Sequence, residues 1–147
     1  MSLGGILDAG LAPGPVVVEQ AGRRVEVEVR DLDRLGVQVE RLKVSGPGAP
    51  IDEVARRLPG ALHPLPERML PVEVDPSLGG AILRTDPRDM QHREFFEART
   101  DGRNVELERF QATPEGREKR DFTLTREQLG RMVDRISEVL APPPNRT

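Results

Sequence analysis

The chain has 147 residues, carries 22 Lys and Arg against 25 Asp and Glu, and contains no cysteine. The length fits one domain with a hydrophobic core, and the lack of cysteine excludes disulfides, thiolate metal ligands and cysteine nucleophiles. A net charge of −3 disfavours a protein that binds the phosphate backbone of nucleic acid. No apolar run approaches the roughly 20 residues of a membrane span, and no basic lead marks a signal peptide. We therefore expect a cytoplasmic protein without membrane contact.

The first part of the chain predicts three antiparallel strands. Valines alternate with charged residues over 24–30, the period-2 pattern of a strand with one solvent face. A valine-rich strand at 16–20 precedes it. In the third strand, at 37–44, the apolar positions change parity midway. This change predicts a bulge near Glu40 and Arg41.

A short helix and a proline-rich segment follow the third strand. Apolar residues recur at helical spacing over 51–58. We expect Pro59 and Gly60 to end this helix, because proline cannot continue a helical hydrogen-bond ladder. The segment 61–71 is rich in proline and predicts a connector.

The second part of the chain contains a strong hairpin signal. An Asp-Gly pair at residues 101–102 favours a two-residue turn, in which both central residues need positive φ. Pairing outward from that turn places Phe96 opposite Leu107 and Glu97 opposite Glu106. We expect Phe96 and Leu107 to share the buried face of the hairpin.

The last element is predicted as an amphipathic helix. Thr125 and Gln128 have the spacing of a capping box, and Leu124 and Leu129 that of a hydrophobic staple. The apolar stripe consists of Leu129, Met132, Val133, Ile136 and Leu140. Such a stripe must pack on a sheet to be buried.

These elements predict an α+β fold in which antiparallel meanders are each followed by one helix, with the helices packed on the sheet. We expect one domain over residues 1–147. Within it, two similar sheet-plus-helix sub-parts are expected at 14–62 and 68–141, joined by the proline-rich connector. The two sub-parts share little residue identity, so the similarity that we expect between them is one of layout.

Few residues point to catalysis or to metal binding. His63 and His92 are isolated in predicted loops, whereas metal sites need several convergent ligands. Carboxylate pairs such as Glu106 and Glu108 share a strand face, and acids in this arrangement act as general acid and base when burial separates their pKa values. The solvent face of a sheet has the same pattern. We expect no catalytic residue, no metal and no cofactor.

A family resemblance depends on the turn at 113–116, the charged strand after it and the segment 122–129 that opens the last helix. With these motifs, residues 94–140 resemble one sheet-then-helix repeat of the positive-cofactor-four coactivators and, more distantly, Pur-alpha and Whirly proteins. Members of that group bind single-stranded nucleic acid by stacking bases on aromatic side chains beside cations. The contact residues that the resemblance implies are Phe95, Arg99, Arg117, Lys119 and Arg120.

Three functional hypotheses follow. The first is a non-catalytic interaction or assembly protein, adaptor-like or chaperone-like, which binds a protein partner or forms a homo-oligomer through a sheet with open edges. The second is a single-stranded nucleic-acid-binding module; the competing interpretation is that Phe96, Phe110 and Phe122 only fill the core. The third is an enzyme that acts through carboxylates.

Overall fold

The computed structural model describes residues 1–85 and 93–142, and these residues form a mixed α+β fold. The helices are α1 Leu3–Gly10, α2 Ile51–Ala61 and α3 Arg126–Val139, with a short 3-10 helix at Pro76–Leu78. The strands are β1 Gly14–Gln20, β2 Arg23–Leu32, β3 Gly36–Ser45, β4 Met69–Asp75, β5 Gly80–Thr85, β6 Glu94–Thr100, β7 Asn104–Thr113, β8 Gly116–Arg120 and β9 Phe122–Thr125. Within the described ranges, no helix is both long enough and apolar enough to cross a membrane.

The nine strands belong to one mainly antiparallel sheet. Seven of them follow the order β1-β2-β3-β7-β6-β5-β4, so β1 and β4 lie at the two ends. Strand β8 pairs with β7, and β9 pairs with β3. The consecutive strands β1 to β3 and β4 to β7 therefore run inward from opposite ends of the sheet and meet where β3 pairs with β7.

Strand β3 carries the predicted bulge. Val39 pairs with Val29 of β2 and Arg41 pairs with Glu28, which leaves Glu40 as the extra residue. On its other side, β3 pairs with β9 before the bulge and with β7 after it. Because a bulge bends its strand and increases the twist, it separates the two partners, and the sheet divides at this point.

The β6–β7 hairpin has the predicted buried face but a different register. Leu107 lies opposite Ala98 and not opposite Phe96, so the predicted pairing is wrong by two residues. An even displacement leaves every side chain on the same face, because side chains alternate with period 2. Phe96 and Leu107 are accordingly both buried, at 3% and 0% exposure.

The loop of the hairpin explains the displaced register. The first pair outside the loop is Thr100 with Val105, so the connection has four residues where two were predicted. The Asp101 carboxylate accepts hydrogen bonds from the backbone N–H groups of Arg103 and Asn104, at 2.9 and 2.8 Å. This side-chain turn stabilises the longer loop and replaces the tight Asp-Gly turn.

Helix α2 continues beyond its predicted end. It passes through Pro59 and ends at Ala61, so the prediction that Pro59 and Gly60 terminate it is wrong. An internal proline removes a helical hydrogen bond and crowds the preceding turn, at a cost of about 3 kcal/mol. Burial of Leu58, Ala61 and Leu62 offsets this cost, since each of these side chains is at most 4% exposed.

Helix α3 begins as predicted. The Thr125 hydroxyl accepts a hydrogen bond from the Gln128 N–H, and the Gln128 side chain accepts one from the Thr125 N–H. All five residues of the predicted stripe are buried in one hydrophobic cluster with residues of α1, α2 and the sheet. Helix α1 packs so closely on α3 that a Cβ atom on Gly4 would lie 2.1 Å from the Gly130 carbonyl oxygen.

Candidate functional site

Strands β5 to β8 carry a group of charged and aromatic side chains on the face that points away from the hydrophobic core. Alternation along β6 places residues 95, 97 and 99 on this face, and strand pairing brings side chains of β5, β7 and β8 beside them. We name this group the arginine–phenylalanine cluster. Its members are Arg84, Phe95, Glu97, Arg99, Phe110 and Arg117.

Glu97 lies at the centre of the cluster, with a side chain that is 1% exposed. Its carboxylate accepts hydrogen bonds from Arg84, Arg99 and Arg117, each at 2.8 Å. A buried charge is costly unless it is paired and hydrogen-bonded. Three guanidinium groups meet this requirement from three strands, so the ion cluster ties β5, β6 and β8 together.

The surroundings of Glu97 keep its carboxyl group ionised. Burial alone raises the pKa of Glu97, because it disfavours the charged form. Hydrogen bonds from Arg117, Arg84 and Arg99 act in the opposite direction and outweigh burial, so the pKa lies below the ordinary value of 4.5. The cluster therefore contains a fixed negative charge at neutral pH.

Aromatic rings contact two of the three guanidinium groups that bind Glu97. The Phe95 and Phe110 rings lie 5.9 Å apart with a tilt of 33°. The Arg117 guanidinium lies 3.9 Å from the centre of the Phe110 ring, and that of Arg84 lies 5.8 Å from the centre of the Phe95 ring. Both distances are within the range of cation–π attraction. Phe110 thus belongs to this surface, whereas Phe96 and Phe122 contact each other in the core.

The structure brings four of the five predicted contact residues to one face of the sheet. These four are Phe95, Arg99, Arg117 and Lys119. The Lys119 ammonium lies 3.3 Å from the Glu108 carboxylate. Arg120 follows Lys119 in β8 and therefore lies on the opposite face, where it donates a hydrogen bond to Gln111 at 2.9 Å.

Three members of the cluster, Arg84, Glu97 and Phe110, are absent from the predicted contact residues. The alternation of Phe95, Glu97 and Arg99 is visible in the sequence and places all three on one face. This signal could have identified Glu97 as the partner of the arginines. Arg84 joins them only because β5 pairs with β6, a pairing that no local pattern specifies.

The predicted surroundings of Glu97 were wrong in one further respect. Glu108, not Glu106, lies opposite it, as the two-residue displacement of the hairpin requires. Arg109, which follows Glu108 in the sequence, lies on the other side of β7. There its guanidinium is 4.5 Å from the centre of the Phe96 ring and 3.6 Å from the Glu94 carboxylate.

The second notable surface is the outer side of β4, which among the described residues pairs only with β5. The predicted connector 61–71 is wrong at both ends, because α2 includes Ala61 and β4 already begins at Met69. We name the exposed apolar residues of this region the β4 edge. They are Leu70, Val72, Val74 and Leu78, which are 41%, 55%, 41% and 79% exposed.

Strand β4 also carries charge and borders a shallow hollow. Its residues Met69–Asp75 include two carboxylates, Glu73 and Asp75, and no cation. A hollow of about 250 Å³ lies beside it, lined in part by Glu73, Leu78 and Ile82. An exposed strand with apolar side chains and unpaired backbone groups is a template on which another strand can form.

The described residues show no arrangement typical of a metal centre. They contain no group of three or more His, Asp or Glu side chains placed to hold an ion. His63 follows α2, and His92 lies outside the described residues.

Comparison with known proteins adds no template for the function. No protein-family model, no curated protein and no solved structure matches the chain. The two surfaces are therefore the basis on which the function is inferred.

Proposed function

We propose that the chain is a non-catalytic protein-interaction or assembly protein of the cytoplasm, adaptor-like or chaperone-like, whose partner adds a strand to the β4 edge. The observation that supports this function is a terminal strand that pairs on one side and exposes Leu70, Val72 and Val74. Main-chain hydrogen bonds give such a complex its affinity, and pockets for alternate side chains give it specificity.

The exposed area sets the expected strength of the complex. Each of the three side chains is about half exposed, and burying the remainder contributes about 1 kcal/mol per side chain. Association also costs translational and rotational freedom, on the order of 4–15 kcal/mol. Strand addition at this edge alone therefore supports a transient complex, and a lasting one needs further contacts outside β4.

We propose, in addition, that the sub-parts 14–62 and 68–141 share one layout within a single domain, antiparallel strands followed by a helix. Strands β1 to β3 precede α2, and β4 to β9 precede α3. In this layout β1 and β4 are the first strands of their sub-parts and also the two ends of the sheet. The two ends are thus comparable positions, and β1 provides a control for β4.

The test is to compare variants of the two end strands. Val72→Lys with Val74→Lys places charge on the β4 edge, and Val17→Lys places charge on β1, where Val17 is 48% exposed. The tagged chain is crosslinked in its native cells, and the captured proteins are quantified. We expect one specific protein to be captured equally by the unmodified chain and by Val17→Lys, and to be lost with the β4 variant. Equal capture by all three would reject the β4 edge as the binding site.

A second candidate function, single-stranded nucleic-acid binding, is favoured by the arginine–phenylalanine cluster. Four cations on this face of β5 to β8, Arg84, Arg99, Arg117 and Lys119, exceed its three carboxylates, Glu97, Glu106 and Glu108. One excess positive charge beside two phenylalanine rings matches the chemistry of phosphate and base. The resemblance of residues 94–140 to the positive-cofactor-four repeat supports the same function.

This second function is tested by fluorescence anisotropy with a labelled single-stranded oligonucleotide. Binding through phosphates weakens as salt rises, so low salt gives the strongest signal. We expect Arg117→Ala with Lys119→Ala to weaken binding, and Arg131→Ala on α3, an arginine of similar exposure, to leave it unchanged. An absence of binding at low salt would exclude the function.

A further inference from the structure

The charges around β4 restrict what can bind to it. Glu73 is exposed and lies opposite Ile82 of β5. The two arginines on the same face of the neighbouring strands, Arg84 and Arg99, are already bound to Glu97 at 2.8 Å. The negative charge of Glu73 is therefore available to a cation that approaches from the free side of β4.

A second carboxylate extends this acidic character to the end of the strand. Asp75 accepts hydrogen bonds from the Ser77 hydroxyl and from the Ser77 and Leu78 N–H groups. These bonds, the hydroxyl bond foremost, hold the pKa of Asp75 below its ordinary value. Asp75 therefore stays ionised at neutral pH.

The backbone of β4 limits the length of an added strand. Pro71 has no N–H to donate, and the register with β5 shifts between Pro71 and Glu73. A shift of this kind twists an edge and interrupts a continuous ladder. The edge is thus divided into two short regular parts, residues 69–71 and 73–75, and the hollow lined by Leu78 and Ile82 lies beside the second part.

From these features we infer that the occupant of the β4 edge is a short extended segment of another polypeptide, in which apolar residues alternate with Lys or Arg. The inference rests on the proposed strand addition. The apolar residues of the segment cover Val74 on one face of β4, and its cations face Glu73 and Asp75 on the other face, beside the hollow. A second copy of this chain is disfavoured, because two paired β4 strands bring four carboxylates together without a cation.

The experiment uses two short labelled peptides, one alternating Val with Lys and one alternating Val with Glu, each with blocked ends. Their binding to the full chain is measured by fluorescence anisotropy at low and at moderate salt. We expect the Val-Lys peptide to bind about tenfold more tightly, because opposite charges across paired strands attract and like charges repel. We expect Glu73→Lys to weaken the Val-Lys peptide about fivefold, the upper range for an exposed ion pair. Glu115→Lys, the same charge change in an exposed turn, serves as the matched control.

The outcomes separate this inference from the proposed function. Equal affinity for the two peptides, or no effect of Glu73→Lys, would overturn the charge preference. A dimer in light scattering that Val72→Lys with Val74→Lys dissociates would identify a second copy as the occupant. That result overturns the inference but agrees with strand addition. If neither peptide binds while cellular capture still depends on the β4 edge, the partner chemistry is wrong and the function stands. Capture that is independent of the β4 edge rejects the proposed function itself.

Discussion

Within residues 1–85 and 93–142, strands β4 and β8 each pair with a single neighbouring strand, yet their compositions are opposite. All five residues of β8 are exposed, and four of them are charged. Five of the seven residues of β4 are exposed, and three of these five are Leu or Val. Natural sheets protect free edges with charged side chains, because an uncharged edge pairs with other strands. All of β8 is protected in this way, whereas in β4 two carboxylates, Pro71 and the bulge lie among exposed apolar residues.

The two strands also differ in how their charges are matched. Each cation of β8 lies within 3.3 Å of a carboxylate; the pairs are Arg117 with Glu97, Lys119 with Glu108 and Arg120 with Glu118. No cation belongs to β4. The difference indicates that charges around β8 stabilise the fold and that those of β4 are available for binding. Three predictions test this distinction.

The largest effect is expected for the buried carboxylate. Glu97→Gln removes the charge that three arginines share, and we expect it to lower the free energy of unfolding by about 2–3 kcal/mol. Glu73→Gln makes the same change in strand β4 and should alter the free energy of unfolding by less than about 0.5 kcal/mol, as is usual for exposed sites. Urea unfolding at neutral pH measures both values.

A smaller substitution protects this comparison against a variant that fails to fold. Glu97→Asp keeps the charge but shortens the side chain, so it should be destabilised less than Glu97→Gln. Circular dichroism establishes that each variant retains its secondary structure. If Glu97→Gln and Glu73→Gln were equally stable, the ion cluster would not stabilise the fold and the proposed distinction between the two strands would be lost.

The next effect is a dependence on pH. The folded-state pKa of Glu97 lies below its ordinary value of 4.5, since arginine hydrogen bonds outweigh the opposing effect of burial. The stabilisation is therefore complete above about pH 4.5 and is lost as the pH falls through the folded-state value. Each unit by which the pKa is lowered contributes about 1.4 kcal/mol.

This pH effect is isolated by comparing the unmodified chain with Glu97→Gln. We expect the free energy of unfolding to fall more steeply below pH 4.5 in the unmodified chain, so the two curves approach each other in acid. Asp101, whose pKa is also lowered, contributes equally to both curves and cancels in the difference. Parallel curves over this range would contradict a charged Glu97 in the folded protein.

Local patterns in the sequence predicted the elements well. The apolar positions of β3 change parity, and this change located the bulge at Glu40. Without the extra residue, the apolar side chains after Glu40 would face away from the core. The capping box located the start of α3, because Thr125 and Gln128 form two hydrogen bonds there and the buried apolar stripe follows them. In both cases the determining contacts lie within a few residues of each other.

The features that the sequence did not predict depend on long-range pairing or on competing contacts. Glu97 can be buried because β5 places Arg84 and β8 places Arg117 beside its carboxylate. No local pattern in the sequence specifies that these two strands lie near Glu97. The hairpin register changed because Asp101 binds backbone groups of its own loop. For Arg120, period-2 alternation already separates it from Lys119, so this misplacement was avoidable.

The smallest effect on stability, and the most direct test of edge protection, comes from making β8 resemble β4. Glu118 and Arg120 pair with each other at 3.1 Å, and both lie on the face opposite the arginine–phenylalanine cluster. Glu118→Val with Arg120→Val removes a pair that contributes at most about 1 kcal/mol, and valine favours strands, so we expect a net change below about 0.5 kcal/mol. Self-association should nevertheless rise, because β8 then exposes apolar residues along an unprotected edge.

Light scattering at increasing protein concentration measures this self-association, with Glu118→Gln and Arg120→Gln as the uncharged polar control. A chain that stays monomeric with both valines would show that charge on β8 is not what prevents pairing, and the contrast with β4 would then need another cause, such as the division of the sheet beside β8.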